Sequence, residues 1–152
     1  MARTRKPPPA VALASVEDVE AAFYDALRRG DIDALMACWA EEDDVVCVHP
    51  GGQRLVGVAS IRAAFGEMFT HGTVQAMPEA VRQVHTLTTA VHSVLERVSV
   101  LTQDGPREAV VIATNVYIKT PQGWRMVAHH ASPGTAAEMQ EAAGGGAGAL
   151  LH

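Results

Sequence analysis

The chain has 152 residues, 48% of them hydrophobic and 19% charged, with a formal net charge of -5. That length and balance fit one domain with a continuous apolar core and exclude a fibrous or wholly disordered chain. No basic stripe with interleaved aromatics follows the short RTRK near the start, and no apolar run reaches membrane-span length, so neither nucleic acid nor a membrane is an expected partner.

Residues 1–14 are Pro-rich and then Ala/Val-rich, without a period that would bury a face, and read as a disordered N-terminal arm rather than a secretory leader. The domain is expected over 15–133. Ser15 with Asp18 approximates a capping box, after which Val16, Val19, Ala22, Phe23, Ala26 and Leu27 recur at helical spacing, and Gly30 is placed to end the helix. Asp31 can cap a second helix carrying Ile32, Leu35, Met36 and Trp39 on one stripe. The acidic run EEDD at 41–44 reads as a solvated loop.

The stretch VVCVHPGG at 45–52 reads as a short strand, with Cys47 and His49 on one face and Val46 and Val48 on the other. Pro50 lacks an N–H and two glycines follow, so the ladder stops there. A brief strand over Arg54, Leu55 and Val56 precedes a third helix marked by Ile61, Ala64, Phe65, Met68 and Phe69, with Gly72 at its end.

From about Glu79 the pattern changes to long alternating segments, 80–88, 90–102, 108–119 and 124–132, separated by turn signals at Asp104-Gly105-Pro106 and Pro121-Gln122-Gly123. The last three read as an antiparallel meander. Helices followed by a sheet define an α+β class rather than a doubly wound one. Residues 134–152 read as a short helix at 136–142 and a flexible Gly-rich tail. Cys38 and Cys47 belong to no CxxC or Cys/His metal spacing; they read as reduced thiols of a cytoplasmic protein.

A helix ending in RRGDIDAL, a strand ending in a residue plus Pro-Gly, the GVASIRAAF helix and a long meander, in that order, resemble the nuclear transport factor 2-like superfamily. Within it the SnoaL-like and ketosteroid-isomerase-like branch is the nearest match, over about residues 15–132. The resemblance implies a cone: a strongly curved antiparallel or mixed sheet wrapped around three N-terminal helices and enclosing an apolar pocket, usually in a homodimer. Members include isomerases, cyclases and dehydratases as well as proteins that only bind a ligand or a partner, so the fold does not choose among them. Position by position, the catalytic carboxylate of the isomerases falls on His49, the tyrosine of their first helix on Phe23 with Tyr24 beside it, and their oxyanion-hole acid on Thr114 or Asn115. All three are changed, which argues against ketosteroid isomerisation itself.

The candidate catalytic residues are therefore His49 as base, His129 as acid or partner, and Asn115 as electrophilic donor. Trp39, Cys47, Phe65, Met68, Phe69, Tyr117 and Val127 are the expected ligand-binding residues, Val127 because the family register places it with Arg125, His129 and Ala131 on the pocket face. Cys47 can pair with His49 or serve as a small buried hydrophobe. On the strand holding His92 and Glu96, either face can be the concave one. A metal would need His85, His92 or Glu96 to join His49 and His129, and no ligand spacing is present, so no metal is expected. Nor is an organic cofactor, in the absence of a Gly-rich phosphate loop. The expected partner is a small hydrophobic molecule bearing a carbonyl or hydroxyl; the alternative is a non-catalytic dimeric ligand-binding or association module.

Overall fold

The computed structural model describes residues 15–151; the arm expected over 1–14 lies outside the described residues. Ser15 caps the first helix as its context predicts, its Oγ accepting the Asp18 amide at 3.1 Å. Helix α1 then runs Val16–Arg29 and buries Val16, Val19, Phe23, Ala26 and Leu27 on its apolar stripe, together with Glu20 and Tyr24. Gly30 ends it in the left-handed conformation at φ 68°, its N–H donating to the carbonyls of Ala26 and Leu27.

Asp31 caps α2, Ile32–Met36, through the Ala34 amide. This helix is shorter than its apolar stripe suggests. The backbone beyond Met36 turns away to join the sheet, where Trp39 forms a parallel bridge with Met126 and Ala40 and Cys38 bond the two sides of that residue. Strand pairing satisfies these buried peptide groups in place of another helical turn.

Strands β1 (Val46–Val48) and β2 (Arg54–Val56) form a small hairpin, and α3 (Val58–Thr70) follows. The meander is β3 (Gln75–His85), β4 (Thr89–Thr102), β5 (Gly105–Thr120) and β6 (Gly123–Pro133). The sheet order is β2-β1-β6-β5-β4-β3, antiparallel except for the β1·β6 pair. Strand β3 begins five residues before the expected 80 and includes Pro78, which its edge position permits. The curved sheet closes over α1, α2 and α3 as a cone, in agreement with the expected α+β class.

One irregularity decides which side chains enter the cone. Between β5 and β6 the register shifts at Val116/Tyr117, so Val116 pairs with Ala128 but Tyr117 pairs with Met126. The extra residue reverses the alternation. Met126 is fully buried, whereas Val127, expected on the pocket face, is only half-buried.

Helix α4, Ala136–Leu151, continues through the glycines read as a tail. It starts from a Thr135/Glu138 capping box, with the Glu138 carboxylate accepting from the Thr135 amide at 2.6 Å. It docks Ala142 on Leu95 and Val110, on the sheet face opposite the main core. Arg97 ties the helix down, donating to the Ala142 carbonyl and to both carboxylate oxygens of Glu79.

Candidate functional site

Inside the cone, side chains from α1, β4, β5 and β6 form one buried polar network. On β4, Ala90, His92, Val94 and Glu96 point inward, which settles the concave face; Val91 and Ser93 are exposed on the other. On β5 the inward set includes Asn115 and Tyr117, while Thr114 is exposed. On β6, His129 is buried and its neighbour His130 exposed, as adjacent residues of a strand must be.

Asn115 is the hub. Its Oδ1 accepts from His129 Nδ1 at 2.6 Å, and its amide donates to Tyr24 Oη at 3.1 Å and to Glu20 Oε2 at 3.4 Å. Because the amide faces a carboxylate, the carbonyl side must face His129, so His129 carries its proton on Nδ1 and a lone pair on Nε2. Tyr24 in turn donates to Glu96 Oε2 at 2.6 Å. Glu20 Oε2 also accepts from Tyr117 Oη at 2.7 Å and from His92 Nδ1 at 2.8 Å.

Two members are held in unusual protonation states. Burial, with a smaller contribution from repulsion by His49 and His130, drives the His129 pKa down to about 3. Burial raises Glu96 to about 7, against the opposing hydrogen bond from Tyr24 and with a push from Glu20. His129 Nε2 lies 3.9 Å from Glu96 Oε2. Near neutrality a base and an acid thus face each other across a gap too long for a direct hydrogen bond.

His49 stands apart from this network. Strand β1 ends at Val48, and the His49 ring is half-buried against the edge of Phe65, centroids 4.8 Å apart, with Nε2 4.0 Å from Cys47 Sγ. Burial lowers its pKa. Phe65 and His129 both contact the Phe23 ring. Burial pushes the Cys47 thiol up to about 12, the state of a packed hydrophobe rather than a nucleophile.

Trp39 is buried, and its indole N–H has no hydrogen-bond partner among the described residues. Met68 and Phe69 are half-buried on the core beside Phe65. Asn115, Tyr117 and His129 are thus brought together; His49 and Cys47 form a neighbouring pair. Sequence reasoning set Tyr24 beside the isomerase tyrosine position without giving it a role, missed Glu20, and gave His92 and Glu96 no role but that of possible metal donors. A signal existed for Glu20, a carboxylate four residues from Tyr24 within the apolar stripe of a helix.

A curved sheet closed over three helices defines the α+β cones of the nuclear transport factor 2-like class. The chain belongs to the SnoaL-like domain family, whose model matches residues 16–136. A crystal structure of a Thiobacillus denitrificans protein, provisionally assigned as a calcium/calmodulin-dependent protein kinase type II association domain, is 35% identical, with TM-score 0.74 over 81% of this chain and 98% of that one. A Streptomyces avermitilis protein of the NTF2-like family, provisionally assigned as a dehydratase, is 28% identical, with TM-score 0.71 over 85% of this chain and 100% of that one. The hub of the S. rosetta kinase CaMKII, 22% identical with TM-score 0.64 over 86% and 100%, shares the fold. No curated protein sequence matches the chain. Among the described residues no helix is long and apolar enough to cross a membrane.

Proposed function

We propose that the cone binds a small, largely apolar molecule carrying a carbonyl or hydroxyl and moves a proton on it, as an isomerase, cyclase or dehydratase does. The observation that supports this is the pairing of His129 and Glu96 across 3.9 Å with opposed pKa displacements. His129 Nε2 takes a proton from the ligand, and Glu96, protonated and aligned by Tyr24, donates to the oxygen that gains charge. Asn115, whose carbonyl and amide are both engaged by protein groups, is a positioning residue holding the His129 tautomer. His49 lies toward the apolar end of the site, where Phe65 and Phe69 contact the ligand body. The buried, free Cys38 and Cys47 fit a reducing compartment, and we place the protein in the cytoplasm.

Ligand-detected NMR with a panel of small cyclic ketones, enols and carboxylic acids tests this reading, followed for each hit by deuterium exchange from solvent into the ligand. Exchange with the wild type that is lost in both H129A and E96Q supports it. Binding without exchange, or no binding across the panel, removes it.

The outer face of the sheet favours a second reading, assembly. A row of apolar residues crosses all six strands there: Val84, Val91, Val116, Ala128, Val46 and Val56, each paired with the next. Val84 is 69% exposed, Val56 42% and Val91 37%. A second copy of the chain packing on this row gives the homodimer, and the description of the Thiobacillus denitrificans relative as an association domain points the same way.

A further inference from the structure

We propose that Glu17, His85 and His92 form a site for a divalent transition-metal ion, with zinc the ion that suits the donors. This goes beyond the proton-transfer reading and does not depend on it. The three ligand atoms all lie within 4.8 Å of one another. His85 Nε2 is 3.1 Å from His92 Nε2 and 4.0 Å from Glu17 Oε2. Zinc bonds of about 2.0–2.1 Å in tetrahedral geometry set neighbouring ligand atoms roughly 3.3 Å apart. The two imidazoles are already near that spacing, and Glu17, exposed in the first turn of α1, needs only a side-chain adjustment to close in.

His92 is built like a supported ligand. It is fully buried, and its Nδ1–H donates to Glu20 Oε2 at 2.8 Å, which fixes the tautomer and turns the Nε2 lone pair toward His85 and Glu17. Glu20 is itself held by Tyr117 and Asn115, so the carboxylate behind His92 cannot easily rotate away. With both Nε2 atoms facing each other, His85 donates its Nε2–H to His92. A metal ion takes the place of that hydrogen, the His85 proton moving to Nδ1.

The exposed side of the cluster admits the ion. His85 closes β3 and His92 lies on β4, so binding clips the end of the β3-β4 hairpin to the start of α1. Two imidazoles and one carboxylate select zinc-like ions over magnesium and calcium, which prefer all-oxygen sites, and three protein ligands leave a fourth position for water.

Isothermal titration of the full chain with zinc sulfate, alongside thermal unfolding with and without zinc, tests the site. The expected result is one equivalent of zinc bound and a rise in Tm that EDTA reverses, with no response to magnesium. H85A, a partly exposed position whose replacement spares the core, loses stoichiometric binding. E17Q weakens it by about 10-fold or more, and E20Q by about 10- to 100-fold through the orientation of His92. H71A, at an exposed histidine outside the cluster, binds as the wild type does. Zinc binding by H85A equal to that of the wild type, or no one-to-one binding up to millimolar zinc, overturns the proposal.

Discussion

His129 Nε2 and Glu96 Oε2 lie 3.9 Å apart, one ring held neutral to about pH 3 and one carboxyl holding its proton to about pH 7. Their effects on stability have opposite signs. Glu96 is raised above its unfolded value, so its contribution is complete below the ordinary carboxylate range, about 4.3, and is lost as pH rises through about 7. His129 is depressed, so its contribution is complete above about 6.5 and is lost as pH falls toward 3. Facing Glu96 are Tyr24 and Glu20 from α1, Cys47 from β1 and His129 from β6. Urea midpoints from pH 4 to 8 check this. The wild type loses stability relative to E96Q as pH rises from about 4.5 to 7; parallel profiles for the two proteins refute the Glu96 assignment.

Asn115→Asp replaces the neutral acceptor of the His129 Nδ1–H with a charged one and so favours the imidazolium. The His129 titration, followed by NMR of the ring protons, moves up from about 3 toward neutrality. An unmoved titration means that the 2.6 Å contact does not govern the ring.

Tyr24→Phe removes the hydroxyl that donates to Glu96 and accepts from Asn115. Two buried polar groups lose a partner, which costs about 1–3 kcal/mol. The Glu96 pKa rises further, because the Tyr24 hydrogen bond acts to lower it. Chemical denaturation and a direct carboxyl titration measure the two effects separately.

Gly30→Ala forces a Cβ into the left-handed region at φ 68° and to 3.1 Å from Thr73 Cγ2. A loss of about 1–2 kcal/mol is expected in the unfolding midpoint. A neutral result means that the α1-α2 corner relaxes freely.

Val91→Asp charges the apolar row one strand in from the β3 edge without entering the core. Far-UV circular dichroism stays unchanged, while light scattering coupled to size exclusion shows a shift from dimer to monomer. A wild type that is monomeric at all concentrations ends the assembly reading.

Much of this protein is determined locally. Ser15, Gly30 and Asp31 mark helix ends because caps are satisfied within a few residues, and the β-branched alternation after residue 79 commits the chain to strands wherever it folds. The opposite placement of His129 and His130 follows from the strand period alone. The site was only half legible, since Asn115, Tyr117 and His129 could be placed on inward faces while their partners could not.

Tertiary structure decided the rest. Glu20 meets Tyr117 across 97 residues and Tyr24 meets Glu96 across 72, contacts that no local spacing encodes. The bulge opposite Tyr117 exchanges Met126 for Val127 because a single unpaired residue inverts strand parity. His49 shares a face with Cys47 in sequence, yet the ladder ends at Val48 and leaves its ring against Phe65, outside the network. The pKa values of Glu96 and His129 belong to the same class, because desolvation depends on what the closed sheet packs around each group rather than on which residues flank it.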